Sequence, residues 1–209
     1  MDVRTCEGTE AFTKAASRWC ESRLRQHEAR SLFLPAGQTP VPLFEYWERK
    51  RPEYLEGLRL VQIDDVLGGP RAGLFRDFFE KRLPTYRHQL SPLENVDEPA
   101  DVALLGLGLN GHVGFHEPGL PPHFNAGCVK LSEPTCLHLD LDLGSWGITY
   151  GIGSFSRARA VLLLVRGAAK REVLQRLLAG DQGLPASALL SHPDLTILAD
   201  TDALPSRAP

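Results

Sequence analysis

Residues 101–119 read DVALLGLGLNGHVGFHEPG, and their reading decides the fold. The run 102–105 is wholly apolar, between an acid and a glycine, which is the pattern of a strand buried on both faces. Gly106, Gly108, Gly111 and Gly114 follow and mark a loop in which the backbone can turn sharply or approach a ligand closely. The same loop carries Asn110, His112, His116 and Glu117. Groups just past the carboxyl end of a strand stand where open α/β sheets bind ligands, so this loop is read as an active site.

Two alternative readings of the loop fail on local grounds. Residues 106–111 fit GxGxxG, but that fingerprint needs a helix opening at its third glycine, and Pro118 and Gly119 arrive too soon. His112, His116 and Glu117, with His123 nearby, have the spacing HxxxHE rather than HExxH, and a glycine and a proline interrupt any regular helix there. No metal site is therefore expected. His112 has a carboxylate five residues on and suits a general acid–base pair near neutral pH. His116 is expected to be a solvated loop histidine.

Working outward, strand-like and helix-like segments alternate. Residues 7–29 read as a helix, 31–34 as a short strand, 42–50 as a helix stopped by Pro52, and 58–63 as a strand closed by Asp64 and Asp65. Neighbouring side chains on a strand point to opposite faces, so one of these two acids should face the cleft. Residues 74–83 have helical spacing, and 86–98 read as a loop. Beyond the central loop, residues 119–147 are irregular, with one strand expected at 136–141 from the alternation of Leu137, Leu139 and Leu141. Residues 147–156 suggest the start of a short helix. The run AVLLLV at 160–165 is a buried strand, followed by a helix over 167–179 closed by Gly180. Residues 195–198 read as a last strand and 205–209 as a frayed tail. The alternation predicts an α/β fold, one domain over 1–209, with an open, mainly parallel sheet and helices on both faces.

Bulk properties narrow the partners. The chain has 209 residues, a net charge of -3 and a pI of about 6.2, so no basic excess exists to bind nucleic acid. No apolar run approaches the roughly 20 residues of a membrane span, and the first residues lack the apolar core of a signal peptide. Cys6, Cys20, Cys128 and Cys136 form no CxxC pair, which suits packing thiols in a reducing cytoplasm. A local anion site is suggested by Gly37, Gln38 and Thr39 ahead of a helix, where backbone N–H groups and a hydroxyl converge. Lys170 falls in the first turn of the 167–179 helix, against the helix dipole, where an anionic ligand would account for it.

Four segments in order, 34–40 (LPAGQTP), 63–68 (IDDVLG), 106–119 and 165–170 (VRGAAK), resemble the sugar-phosphate isomerase group that contains glucosamine-6-phosphate deaminase and 6-phosphogluconolactonase. The sequence FHEPG at 115–119 and ITYGIG at 148–153 are similar to the deaminase branch. His116 stands where the deaminases carry asparagine, Gln38 replaces a small residue, and Lys130 is the one lysine or arginine between Gly119 and Gly147. The resemblance implies a Rossmann-like sheet and a phosphorylated sugar as small-molecule partner, with no cofactor; homo-oligomer formation is left open. It implies catalytic roles for Asp64, Asn110, His112 and Glu117, and substrate contacts from Gly37, Gln38, Thr39, Asp65, Gly108, Gly111 and Lys170. The implied reaction converts glucosamine-6-phosphate and water to fructose-6-phosphate and ammonia. The alternatives are hydrolysis of 6-phosphogluconolactone, and sugar-phosphate binding without catalysis.

Overall fold

A computed structural model describes residues 1–91, 93 and 99–204. In chain order the elements are β1 (Asp2–Cys6), α1 (Gly8–Gln26), β2 (Ser31–Leu34), α2 (Val41–Lys50), β3 (Arg59–Gln62), β4 (Asp64–Leu67), α3 (Leu74–Arg82) and β5 (Leu90–Ser91). They continue with β6 (Val102–Gly106), β7 (Ala126–Lys130), α4 (Glu133–His138), β8 (Trp146–Tyr150), α5 (Ile152–Phe155), β9 (Ala160–Val165), α6 (Arg171–Leu178) and β10 (Leu195–Asp200).

Seven strands form one sheet in the order β1-β10-β9-β6-β2-β3-β5, and every pairing in it is parallel. Parallel neighbours need crossovers, and these put helices over both faces. The alternation of side chains along each strand sorts the core into two clusters. Leu32, Leu34, Val102, Leu104, Leu162 and Leu164 pack with Trp19 and Leu24 of α1, Phe44 and Trp47 of α2, and Phe79 of α3. Phe33, Ala103, Leu105, Val161 and Leu163 pack on the other face with Ile152 and Phe155 of α5 and Val173, Leu174 and Leu177 of α6. Full burial of each such aliphatic side chain contributes about 1.5–3 kcal/mol, which explains why β2, β6, β9 and β10 have few exposed positions.

A second, antiparallel sheet has the order β4-β8-β7 and places Asp64 opposite Thr149 and Asp65 opposite Ile148. It is joined to the large sheet where the Tyr150 amide donates to the Ile63 carbonyl at 2.9 Å. Phe33 fixes the same corner, with ring centroids 4.7 Å from Tyr150 and 5.4 Å from Phe155 in edge-on geometry. Such aromatic pairs add about 0.5–1.5 kcal/mol beyond area burial.

Several expectations are corrected. Residues 136–141 are not a strand: Ser132 caps the helix α4 by accepting from the Thr135 amide, and Pro134 sits in its first turn. Those start signals outweigh a two-residue alternation of leucines, one of which, Leu137, is 66% exposed. Asp64 and Asp65 do not close a strand but open β4. Residues 147–156 hold most of the strand β8 before the short helix α5. Strand β1 is exposed along most of its length and pairs with β10 through its backbone, so no apolar pattern announces it. Lys170 ends a 3-10 turn, Ala168–Lys170, and stands at the N-cap of α6 rather than inside its first turn. Cys128 is exposed, unlike the buried Cys20 and Cys136. The expected loop at 86–98 begins with a 3-10 turn, Pro84–Gln89, and β5; residues 92, 94–98 and the expected tail at 205–209 lie outside the described residues. Among the described residues no helix is long and apolar enough to cross a membrane.

Candidate active site

The four segments singled out in the sequence follow the carboxyl ends of β9, β6, β2 and β3, which are adjacent in the sheet. The chain moves outward from β2 to β3 and β5 on one side, and from β6 to β9 and β10 on the other. Strand order therefore reverses between β2 and β6, and the crevice at such a switch point is where open α/β sheets bind ligands.

The loop after β6 folds back on itself. The Gly108 amide donates to the His112 carbonyl at 2.8 Å, and the imidazole of His112 lies over Gly108 so closely that a Cβ there would fall 2.4 Å from the ring. Gly111, with φ +82°, makes the turn between them, and a Cβ there would meet Leu184 at 2.8 Å. No helix follows, in keeping with the proline and glycine downstream. The loop is fastened to the small sheet, because the Phe115 amide donates to Thr149 Oγ1 at 3.0 Å. Thr149 is the register partner of Asp64, so the histidine loop and the acid of β4 share one corner.

His112 Nδ1 stands 3.6 Å from Glu117 Oε2, within ion-pair range but longer than a hydrogen bond. Asn110 braces both: its Nδ2 donates to Glu117 Oε2 at 3.0 Å, and its Oδ1 accepts from the His112 amide at 3.2 Å. Burial works against ionisation of Glu117, but His112, the Thr135 hydroxyl and the Asn110 amide overcome it and hold the carboxyl at about 2. His116 is not solvated; it is 1% exposed. Its Nδ1 accepts from the Ile152 amide at 3.2 Å, its ring meets Phe124 edge-on, and burial lowers its pKa, so it is a neutral part of the core. Its position beside a glutamate in sequence says nothing of this, because its neighbours, Phe124, Gly151 and Ile152, come from later in the chain.

The two acids of β4 differ sharply. Asp64 is buried, and its Oδ1 has no hydrogen-bond partner among the described residues. Burial, and then the neighbouring Asp65, push its carboxyl up to about 8. Asp65 is bonded on every side: its oxygens accept from Gln62 Nε2 at 2.9 Å and from the amides of Val66, Phe75 and Arg76 at 2.8, 2.9 and 3.1 Å. Two of those amides belong to the first turn of α3, so Asp65 caps that helix from outside.

Gly37 has φ +96° and turns the chain into α2; Gln38 is exposed and Thr39 half-buried. Among the described residues none of the Gly37, Gln38 and Thr39 amides donates to a protein acceptor. The Lys170 ammonium likewise has no partner there, and burial lowers its pKa. Unspent donors and a desolvated cation suit an anion. Sequence reading missed Thr135, Ser132, Thr149 and Asp200. Asp200, at the end of β10, accepts from the Gly167 amide at 3.0 and 3.1 Å and so shapes the loop that carries Lys170. Only Ser132 had a usable signal, as a serine three residues ahead of Thr135 with Glu133-Pro134 between them, the composition of a helix start.

The chain is similar to known proteins along nearly its whole length. A family model described as glucosamine-6-phosphate isomerases/6-phosphogluconolactonase matches residues 76–197. A glucosamine-6-phosphate deaminase of Bacillus cytotoxicus is 40% identical over 232 residues, taking in 98% of this chain and 88% of that protein. One of Bacillus cereus strain B4264 gives the same identity and coverage. Among solved structures, a monomeric glucosamine-6-phosphate deaminase has a TM-score of 0.83 at 25% identity, covering 97% of this chain and 98% of that one. A 6-phosphogluconolactonase from Trypanosoma brucei, at 19% identity with 97% of each chain covered, has a TM-score of 0.73 and shares the fold. With its parallel sheet, its switch-point crevice and a 40% identical relative along nearly its whole length, the chain belongs to the glucosamine-6-phosphate isomerase/6-phosphogluconolactonase family.

Proposed function

We propose that the protein converts glucosamine-6-phosphate and water to fructose-6-phosphate and ammonia. The observation that carries this reading is Asp64: a buried carboxyl with an unpartnered oxygen, raised to about 8, at the corner that also holds the His112–Glu117 pair. Removing a proton from carbon needs a base stronger than an ordinary carboxylate, and burial makes one. This chain's FHEPG loop, which resembles the deaminase branch, and the deaminase names of its 40% identical relatives support the amino sugar over the lactone.

In this scheme the Gly37–Thr39 amides, the Thr39 hydroxyl and Lys170 hold the phosphate. His112, with Glu117 orienting its imidazole and Asn110 bracing both, moves the proton that opens the sugar ring. Gly108 and Gly111 let the loop approach the sugar. Asp64 then takes the C2 proton, giving an enolamine; reprotonation at C1 moves the double bond to C2=N as an imine, and water attacking C2 releases ammonia and leaves the ketose. Each placed proton transfer contributes about 10²–10⁴-fold. Asp65, with four protein donors on its oxygens, holds β4 in place and so sets the position of Asp64. The four unpaired cysteines suit a cytoplasmic setting.

The test is exchange of the C2 hydrogen of glucosamine-6-phosphate with solvent deuterium, followed alongside ammonia release. The parent should do both. Asp64→Asn should do neither, while binding the sugar phosphate within a few fold of the parent because the phosphate contacts lie elsewhere. A parent that shows no exchange but opens 6-phosphogluconolactone is a lactonase, and one that only binds is a non-catalytic sugar-phosphate protein.

A further inference from the structure

Glu117 is gripped from two sides. Oε2 faces His112 and Asn110, while Oε1 lies against the start of α4. There the Thr135 hydroxyl donates to Oε1 in a short hydrogen bond, and the Ser132 amide approaches it at 3.4 Å. A threonine hydroxyl has one hydrogen to give. The direction of that hydrogen is set by Ser132, whose own hydroxyl donates to Thr135 Oγ1 at 3.1 Å, leaving the Thr135 hydrogen for the carboxylate. The result is a one-way row, Ser132 to Thr135 to Glu117. Thr135 and Glu117 are each 4% exposed, so bulk water does not stand ready to replace a lost donor.

No proton transfer in the scheme above uses Thr135, yet its hydroxyl is spent wholly on the residue that orients His112. We infer that Thr135, aimed by Ser132, is a positioning residue of the reaction, which keeps Glu117 ionised and keeps Oε2 turned toward His112. A donor to the charged form of an acid favours that form. The terminal torsion of a glutamate is broad and does not fix the carboxylate plane by itself. Hydrogen bonds on both oxygens do fix it, and the Oε1 side is supplied by α4. The short helix therefore has a task at the site, although it follows Glu117 by more than a dozen residues.

The inference rests on the His112–Glu117 reading of the site, but its first test needs no activity. The side-chain carboxyl carbon of Glu117 is followed by NMR against pH in ligand-free parent, Thr135→Val, Thr135→Ser and Ser132→Ala. Valine keeps the shape and removes the hydroxyl. The Glu117 titration should move upward by on the order of one pH unit in Thr135→Val, stay with the parent in Thr135→Ser, and move the same way by less in Ser132→Ala. An unmoved titration in Thr135→Val, or an equal shift in Thr135→Ser, overturns the inference. If Thr135→Val does not fold, Ser132→Ala decides, and an unmoved Glu117 there overturns it. In the activity arm, kcat of Thr135→Val should fall on the order of tenfold, with KM for glucosamine-6-phosphate within about twofold and with recovery in Thr135→Ser. A fall in kcat that Thr135→Ser shares, or one matched by a comparable rise in KM, marks a merely structural residue and also overturns it. A parent that releases no ammonia defeats the deaminase reading, while the titration still decides the role of Thr135.

Discussion

Replacing Asp64 by asparagine should make the protein more stable at neutral pH while removing its chemistry. The carboxyl is raised from 3.8 to about 8 by burial and by Asp65. A group with a raised folded-state pKa has its full stability below the unfolded value and loses it as pH rises toward the folded value. Each unit of that interval is worth about 1.36 kcal/mol. Between the unfolded value and pH 7 lie roughly three units, so the parent carries a penalty on the order of 4 kcal/mol at pH 7 that asparagine does not. The amide is neutral at every pH, so any cost of its N–H groups in a site where Asp64 Oδ1 lacks a partner among the described residues is a constant offset, and the change with pH reads the penalty alone. Urea unfolding with linear extrapolation, at about pH 4, 7 and 8.5, reads the difference directly. The other titratable groups cancel between the two proteins. The gap should be smallest in the variant's favour at the lowest pH, widen toward it with rising pH and level off above about 8. Parallel stability profiles, or a less stable variant at pH 7, would refute the claim that Asp64 is a buried base held against its own solvation.

Lys170→Ala should weaken sugar-phosphate binding on the order of tenfold or more in calorimetry, since it removes a charged donor, and should leave stability within about 0.5 kcal/mol because the ammonium has no protein partner among the described residues. Equal binding by the two proteins rejects the phosphate assignment. Gly108→Ala sets a methyl 2.4 Å from the His112 ring, so the imidazole must swing away. The fold should persist while kcat falls on the order of tenfold or more, and an alanine variant with the parent's kcat would show that His112 works from another position.

The loops around the site were legible because each depends on local chemistry. The apolar runs of β2, β6 and β9, followed by glycines and titratable groups, specify a strand and then a loop from a few neighbouring residues. The pairing of His112 with Glu117 was legible too, because they lie five residues apart in a loop that glycines fold back. The small sheet was not. Its strands β4, β7 and β8 bring Asp64 opposite Thr149, residues far apart in the chain, and no local pattern encodes a partner at that distance. A different limit hid α4, where two local signals conflicted: the leucine alternation pointed to a strand and the serine–proline start to a helix. The sequence by itself determined the sheet class, the four segments that follow adjacent strand ends, and the closeness of His112 to Glu117. Only the tertiary structure decided that Asp64 is the unpartnered acid and Asp65 the helix cap, that His116 is core, and that Thr135 meets Glu117. Those four outcomes depend on which groups exclude water from a side chain and which donors reach it, and packing between distant segments sets both.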